Sequence, residues 1–578
     1  MKHERTHGYI LVTALAFMVI LIIMTTIIMT GSVTGVQQAG GEAGLVRARA
    51  AAEAGQAQAG YTLSQTLVPG INSIIGTYAS SFAAAGNNPA TTNVIPTSQY
   101  SSVLSSMNGL AGTTSSGTVG GVTYTSRITF SNFREDRASF NANNQRYLVD
   151  YVVASSGQQG DYLRNVNVQG YVAMLLGKTP LNAFLVMAND GGSVQGNFFG
   201  TGMNYDGPVH INQNWMFAGT PIFSMGATTS ASSVKMYNCN TSTWQAVTTQ
   251  SNNCTTPNWG GVGLAYSKPN VPLPANAFSQ ARAALGLDAT NTTSPNTSAR
   301  CTALGLSSSC SSVPTGVYTP VNGGIYIQGD AAVTLSVASP NNSQVYTIVQ
   351  GSTTSVLKAD PLTGVTTITK NGGAATTLST PLNGQLYVEG TITSLSGPAR
   401  TGTLPNPLPS NNGVPTQIPP AIATSTRLNI AAATDIVVQG DVTYQDNPAT
   451  NSGAKNVLAL LAGTGNLRVG TTAPNDVYLH GAVVAGASGK GMSVDNYSAG
   501  VLRGAIHTLG SLAEDTDPPR GLANIGSNGL ITMVNGFGDA FHFDPRFVNG
   551  SAIPPFFPTT TTFAANTALP VQRSWVEQ

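Results

Sequence analysis

Between Tyr9 and Met29 lie twenty-one consecutive residues without a charged side chain. A helix rises about 1.5 Å per residue, so this run reaches across the roughly 30 Å hydrocarbon core of a bilayer. It is longer than the apolar region of a secretory signal peptide, which would also be followed by a small-residue cleavage site. The run continues without a clear stop into RARAAAEAGQAQAGYTLS (Arg47 to Ser64), and no proline occurs in the first 68 residues. Ala, Gln, Glu and Arg are strong helix formers, so one long helix is predicted after a polar leader. The leader covers 1–8, the membrane part 9–29 and the rest of the helix 30–68.

The leader MKHERTHG carries Lys2 and Arg5, breaks at Gly8 and is followed by the large residue Tyr9, the apolar run and AAEAG (Ala51 to Gly55). This start resembles that of the type IV prepilins, in particular minor pilins with a PilX-type N-terminus. The resemblance implies cleavage after Gly8 by a membrane prepilin peptidase, methylation of the new amine on Tyr9, and a helix that packs among other pilins, raised by the pilus assembly machinery. It implies a single pass of the inner membrane before assembly and a place on the cell surface or pilus tip afterwards. Most pilins carry Glu at the fifth mature position, where its carboxylate can pair with a neighbour's amine in a low-dielectric filament core. Here that position is Thr13. Losing that charge is tolerable for a subunit with none above it, which points to the tip. A plain anchor that never polymerises is the competing reading of the same span.

At 578 residues the chain is long enough for several structural units. Only 8% of its residues are charged, with 64 Gly, against roughly 25% charged in an average soluble protein. Such a composition suits an extracellular β-rich protein. Lys plus Arg is 25 and Asp plus Glu 24, and no basic run announces a polyanion partner. Four cysteines, Cys239, Cys254, Cys301 and Cys310, all follow the anchor. Their spacing suits two local disulfides, Cys239 with Cys254 and Cys301 with Cys310, although four cysteines allow three pairings. A zinc site is disfavoured, because neither pair has knuckle spacing and no His lies close.

After a polar stretch with a short helix at Tyr100 to Leu110, alternation at period two begins. Val122 to Phe130, Tyr147 to Ala154 and Leu163 to Leu176 predict an antiparallel meander within 69–180, with turns at Asn141 to Gln145 and Ser155 to Asp161. A long helix followed by such a sheet is the layout of a pilin head. From 181 to 550 short apolar runs end in Gly: GGSVQG, GPVHIN, GIYIQG, QLYVEG, DIVVQG and DVYLHG. The last four share one template, which is what stacked coils of an irregular β-solenoid require; a β-sandwich is the alternative. A loop-rich insert at 235–314 holds the cysteines and one helix, Ala275 to Leu287; a proline-rich gap covers 404–420. Residues 551–578 are predicted to return to the first sheet. The expected fold is thus an α+β pilin module with a large inserted all-β domain.

No GxSxG, HExxH or phosphate-binding loop occurs, so no enzyme, cofactor or metal is expected. His210 and His480 sit at strand positions, where a hydrogen-bonded structural role is expected. Glu514, Asp515 and Asp517 read as a solvated turn rather than a calcium loop, lacking EF-hand spacing. The whole layout resembles the large minor pilins of natural-competence pili. That resemblance implies DNA as a partner, for which Arg427, Lys455, Arg468, Lys490 and Arg503 are the usable cations. An adhesin that holds glycans or cell surfaces is the alternative.

Overall fold

A computed structural model of the protein describes all residues except 1–7, 79–92, 113, 138–143, 192–197, 308–309, 411, 526–530, 549, 568–569 and 578. The chain forms two compact units, one from Met1–Leu176 with Ala565–Gln578 and the other from Gly177–Ala564.

In the first unit, helix α1 (Gly8–Thr62) passes through a π-helical turn, Leu63–Leu67, into α2 (Val68–Gly76), whose proline falls in its first turn, where no amide hydrogen is needed. Every position from Ala14 to Gly40 is exposed. Burial then recurs at Gly44, Ala48, Ala51, Ala52, Gly55, Ala59 and Leu63, at helical spacing. Most of these side chains are small, which lets the helix axis approach a sheet closely.

That sheet contains β1 (Ser115–Val119), β2 (Val122–Glu135), β3 (Asn144–Gln159) and β4 (Tyr162–Pro180) in this order. β1 pairs antiparallel with β2, and β2 with β3. The strand Val571–Glu577 pairs antiparallel with β4, from Val571 opposite Tyr171 to Glu577 opposite Val166. A further helix, α3 (Tyr100–Ala111), is clamped to β2 by Asn108, whose Oδ1 accepts from Phe130 N at 2.8 Å while its Nδ2 donates to Phe130 O at 3.0 Å.

The turn expected at Ser155 to Asp161 is shorter: β3 runs on to Gln159, and only Gly160 and Asp161 turn. Ser155 and Gly157, which look like loop residues, are instead packed under the alanines of α1. Residues 141–143 of the other expected turn lie outside the described residues, and Gln145 already belongs to β3.

The second unit is all-β apart from short helices. Strands Ile325–Gln328, Gln385–Glu389, Arg427–Ala432, Val457–Ala462, Val477–Ala485 and Leu502–Thr516 pair side by side in parallel. Alternating with them along the chain, Ala331–Ala338, Ile392–Ser396, Ile436–Val438, Leu467–Val469 and Met492–Val494 make a second parallel series. Three or more residues in a row are buried in most strands of the first series, as parallel strands covered on both faces require. From the second series back to the first, the chain returns once through an antiparallel meander, Ser343–Gln350, Thr353–Ala359 and Thr366–Lys370, and otherwise through irregular segments, including the proline-rich 404–420.

The stacking order differs from a simple progression. Val186–Asp190 pairs in parallel with Leu502–Thr516, and Val209–Ile211, then Ala227–Thr229, stack outward from it. The early strands therefore grow away from the last ones, and the chain crosses to the far end before building back. Its path there runs through the insert, which is more ordered than its composition suggests. The insert holds the hairpin Val234–Asn238 with Thr243–Val247, and a helix at Phe278–Ala284, shorter than the expected Ala275 to Leu287. It also holds a second helix, Thr297–Ala303, capped by Asn296, whose side chain accepts from Ala299 N at 2.8 Å. The shared template likewise divides: GIYIQG, QLYVEG and DVYLHG enter the first series, while DIVVQG enters the second. GGSVQG falls largely in 192–197, outside the described residues.

Candidate functional site

Helix α1 begins at Gly8, and it is long and apolar enough to cross a membrane. The leader 1–7 and the side chains of Tyr9 and Thr13 lie outside the described residues. The cysteines form the two local disulfides, Cys239 with Cys254 and Cys301 with Cys310.

Of the five candidate cations, Arg427 and Arg503 lie on the first parallel series, Arg468 on the second, and Lys455 and Lys490 in connections. Arg468 is held between Asp495, at 2.9 and 3.0 Å, and Asp435, at 3.2 Å, so its charge is compensated on the spot. Arg427 donates to Ile553 O at 2.6 Å, and burial with Arg546 nearby lowers its pKa. Arg503 donates to Ala473 O and to Asn475, with its guanidinium over the Phe537 ring. Lys455 is exposed and Lys490 half-buried, and neither forms an ion pair among the described residues.

The acidic cluster is not a solvated turn. Glu514 is 1% exposed, and Asp517 and Asp539 close on Arg520, itself buried, at 2.7 and 2.8 Å. Glu514 also accepts from Met492 N at 2.8 Å and lies 3.9 Å from Arg520. Burial, then the Asp517 charge, pushes the Glu514 carboxyl well above the usual range. Arg520 makes this possible, because one guanidinium can serve several carboxylates at once.

His210 is structural: Nδ1 meets Thr228 Oγ1 at 2.8 Å and Nε2 meets Asn212 Oδ1 at 3.0 Å. His480 stands in a different setting. It lines a cleft of about 460 Å³ together with Tyr478, His507, His542, Asp206 and Asn412. This volume lies within the roughly 300–1,000 Å³ of small-ligand sites.

Register builds the cleft. Tyr478 is opposite His507, which is opposite Ala540; His480 is opposite Leu509, which is opposite His542. Positions two apart share a face, so three adjacent parallel strands present their histidines to the same side. Just past the second row Gly481 pairs with Gly510, and a Cβ on Gly510 would collide with the Gly481 carbonyl. Gly481 itself has a φ of 138°, which a residue with a side chain adopts at a cost. The opposite wall comes from the proline-rich loop, tied down where Asn447 Nδ2 donates to Asn412 O at 2.8 Å.

Each histidine has one nitrogen fixed. Tyr444 N donates to His480 Nδ1 at 3.3 Å, so Nε2 carries the proton of the neutral ring. His480 is 2% exposed, and burial, then Arg546, lowers its pKa to about 3. His507 Nε2 meets Asp476 Oδ1 at 3.3 Å, and the ring stacks on Tyr478 with centroids 4.5 Å apart. Burial lowers the His507 pKa, with Asp476 opposing. His542 Nδ1 meets Asp206 Oδ2 at 2.9 Å, while Asp206 Oδ1 accepts from Phe543 N. The remaining nitrogens offer one donor, on His480, and two acceptors, on His507 and His542, when all three rings are neutral. Among the described residues, no Lys or Arg lines the cleft.

In the sequence His480, His507 and His542 are far apart, and His480 alone is marked, for a structural role. Only strand register brings them together, and the one available signal was His480 and Tyr478 at alternate positions in DVYLHG.

A family model described as "Domain of unknown function (DUF4900)" matches residues 146–239. No curated protein matches the chain. Among solved structures, the chain is similar to the competence-associated pilin ComZ from Thermus thermophilus. The identity is 11%, with 93% of this chain and 98% of that chain covered and a TM-score of 0.29.

Proposed function

We propose that the chain is a non-enzymatic minor pilin, anchored by α1, that joins a type IV pilus at or near its tip and displays its inserted unit as an irregular β-solenoid. The division of α1 carries this reading. The helix is bare and apolar from Ala14 to Met29, then packs through Ala48, Ala51 and Ala52 against an antiparallel sheet. A bare apolar helix must be surrounded by lipid or by other helices. A leader ending in Gly8, followed by Tyr9, supplies the means of moving from one to the other. Other pilins, the assembly machinery, the prepilin peptidase and the membrane are the partners of this reading. The protein would cross the inner membrane once before assembly and face the exterior afterwards. Thr13 in place of the usual Glu supports the tip position.

For the displayed unit, two ligand readings stand. The resemblance implies extracellular DNA, captured for uptake in natural transformation, with Lys455 and Lys490 as its most available phosphate contacts. An adhesin reading is favoured by the cleft, which combines fixed donors and acceptors and is lined by no cation.

The test of the pilin reading is the N-terminal mass of the native protein from sheared surface filaments. A chain beginning at methylated Tyr9 supports processing and filament membership together. An intact Met1, found only in membranes, overturns both.

A further inference from the structure

We infer that the cleft formed by Val477–Ala485, Leu502–Thr516 and Ile531–Phe543 binds a neutral, hydroxyl-rich ligand, an oligosaccharide, with His480 as hydrogen-bond donor and His507 and His542 as acceptors. The proposal deepens the adhesin reading and rests on the inserted unit facing the exterior.

The first observation is the unused donor. His480 is almost wholly buried, its Nδ1 is occupied by the Tyr444 amide, and no described residue accepts from its Nε2. His480 lines the cleft, so this donor, fixed in place by the Tyr444 contact, is available to a ligand's acceptor in place of solvent. The second observation is that both neighbouring rings are oriented by carboxylates. Asp476 and Asp206 hold the donating nitrogens of His507 and His542, leaving each ring's other nitrogen to accept.

His480 and His542 stand two strands apart, about 10 Å, with His507 on the strand between, so donor and acceptors are spread over the width of a sugar unit or more and match hydroxyls, each of which donates once and accepts twice. Asn412 and Ser410 on the opposite wall add further polar contacts, and Pro409 and Ala540 add apolar surface for a sugar ring.

Two rivals fit less well. A phosphate needs cations or free amides, yet the cleft has neither Lys nor Arg and carries the Asp206 carboxylate. A metal needs His480 to offer a lone pair at Nε2, whereas the Tyr444 amide demands the lone pair at Nδ1. Among the described residues no group of three His, Cys, Asp or Glu has metal-binding geometry.

The test uses the full chain in a non-glycosidic detergent with maltotriose, cellotriose and chitotriose as probes, followed by saturation-transfer NMR and calorimetry with and without EDTA. We expect at least one trisaccharide to bind with a Kd of about 1 mM or tighter, unaffected by EDTA. His480→Phe should weaken it by about tenfold or more. Because His480 is buried, His542→Gln and Asn412→Gly at the rim serve as second probes, the glycine suiting the positive φ of 58° at that position, each expected to weaken binding with the melting temperature unchanged. Absence of binding by all three sugars, binding abolished by EDTA, or binding indifferent to all three substitutions overturns the proposal. Since binding is read on the isolated chain and filament membership on the N-terminal mass, failure of one is distinguishable from failure of the other.

Discussion

Gly157 on β3 lies directly beneath Ala48 on α1, so close that a Cβ on the glycine would overlap the Ala48 carbonyl oxygen and stand 2.6 Å from the Ala52 amide nitrogen. Both atoms belong to helix backbone, which cannot move aside as a flexible side chain could. Gly157→Ala should therefore cost about 1–3 kcal/mol through overpacking. Thermal unfolding of the full chain, followed by the signal of the first unit, checks this. An unchanged melting temperature would mean that the helix stands farther from the sheet than described.

Arg546 and Asp544 form a buried pair at 2.6 Å, and the guanidinium also donates to the carbonyls of Ala454 and Asn456. Arg546→Met leaves Asp544 charged and nearly without exposure, at an expected loss of about 3–5 kcal/mol. The double variant with Asp544→Asn should recover part of that loss. A double-mutant cycle by urea unfolding measures the coupling.

His480 and Glu514 give stability opposite slopes with pH. The His480 pKa falls from its ordinary 6.5 to about 3 in the fold, so below pH 6.5 the unfolded chain takes up a proton that the folded chain refuses. Acidification from 6.5 towards 3 then removes stability, at up to about 1.4 kcal/mol per pH unit. The Glu514 pKa is raised above its ordinary 4.5, so the folded chain keeps a proton that the unfolded chain loses, and stability falls as pH rises past 4.5. His480→Phe should flatten the acid limb and Glu514→Gln the alkaline one, read as urea midpoints across pH.

Cys301 is buried and closes a nine-residue separation to Cys310, and Cys239 closes fifteen to Cys254. Loop closure at these lengths is worth about 3 kcal/mol each by the chain-entropy relation. Replacing either pair with Ser should lower the melting temperature of the second unit. No change for either pair would show that its loop is already constrained when reduced.

If the second unit holds duplex DNA, the full chain should bind it steeply more weakly as salt rises. Lys455→Glu with Lys490→Glu should then make the plot of log K against log salt shallower by about 2, one phosphate contact each. Arg468 is a poor probe, because it sits between Asp435 and Asp495 and its reversal would put three carboxylates together. Salt-insensitive binding, or none at low salt, removes the DNA reading.

Local pattern carried the long helix and the meander. The charge-free run and the absence of proline through residue 68 speak for α1, and strict alternation in VTYTSRITF for β2. The inverted stacking, with Val186–Asp190 beside Leu512 rather than at one end, left no such trace, since any parallel strand can stack on any other. The cleft was invisible for a related reason: His480 and His507 are brought together by the register of two parallel strands whose paired residues lie 29 apart in the chain, as Tyr478 and His507 do. AEDTDPPRG was misread because charge density resembles solvation until the partner is known. Asp539, which completes the cage around Arg520, lies on another strand.

The antiparallel pair Val571 and Tyr171 joins positions four hundred residues apart. During synthesis, α1 and β1 to β4 leave the ribosome long before the strand that completes their sheet exists, so β4 waits with an unpaired edge while the whole second unit is made. A stop codon or frameshift anywhere in those four hundred residues leaves that edge open. The sheet that α1 packs against thus closes only with strands made after the whole second unit, Thr559–Thr567 and Val571–Glu577.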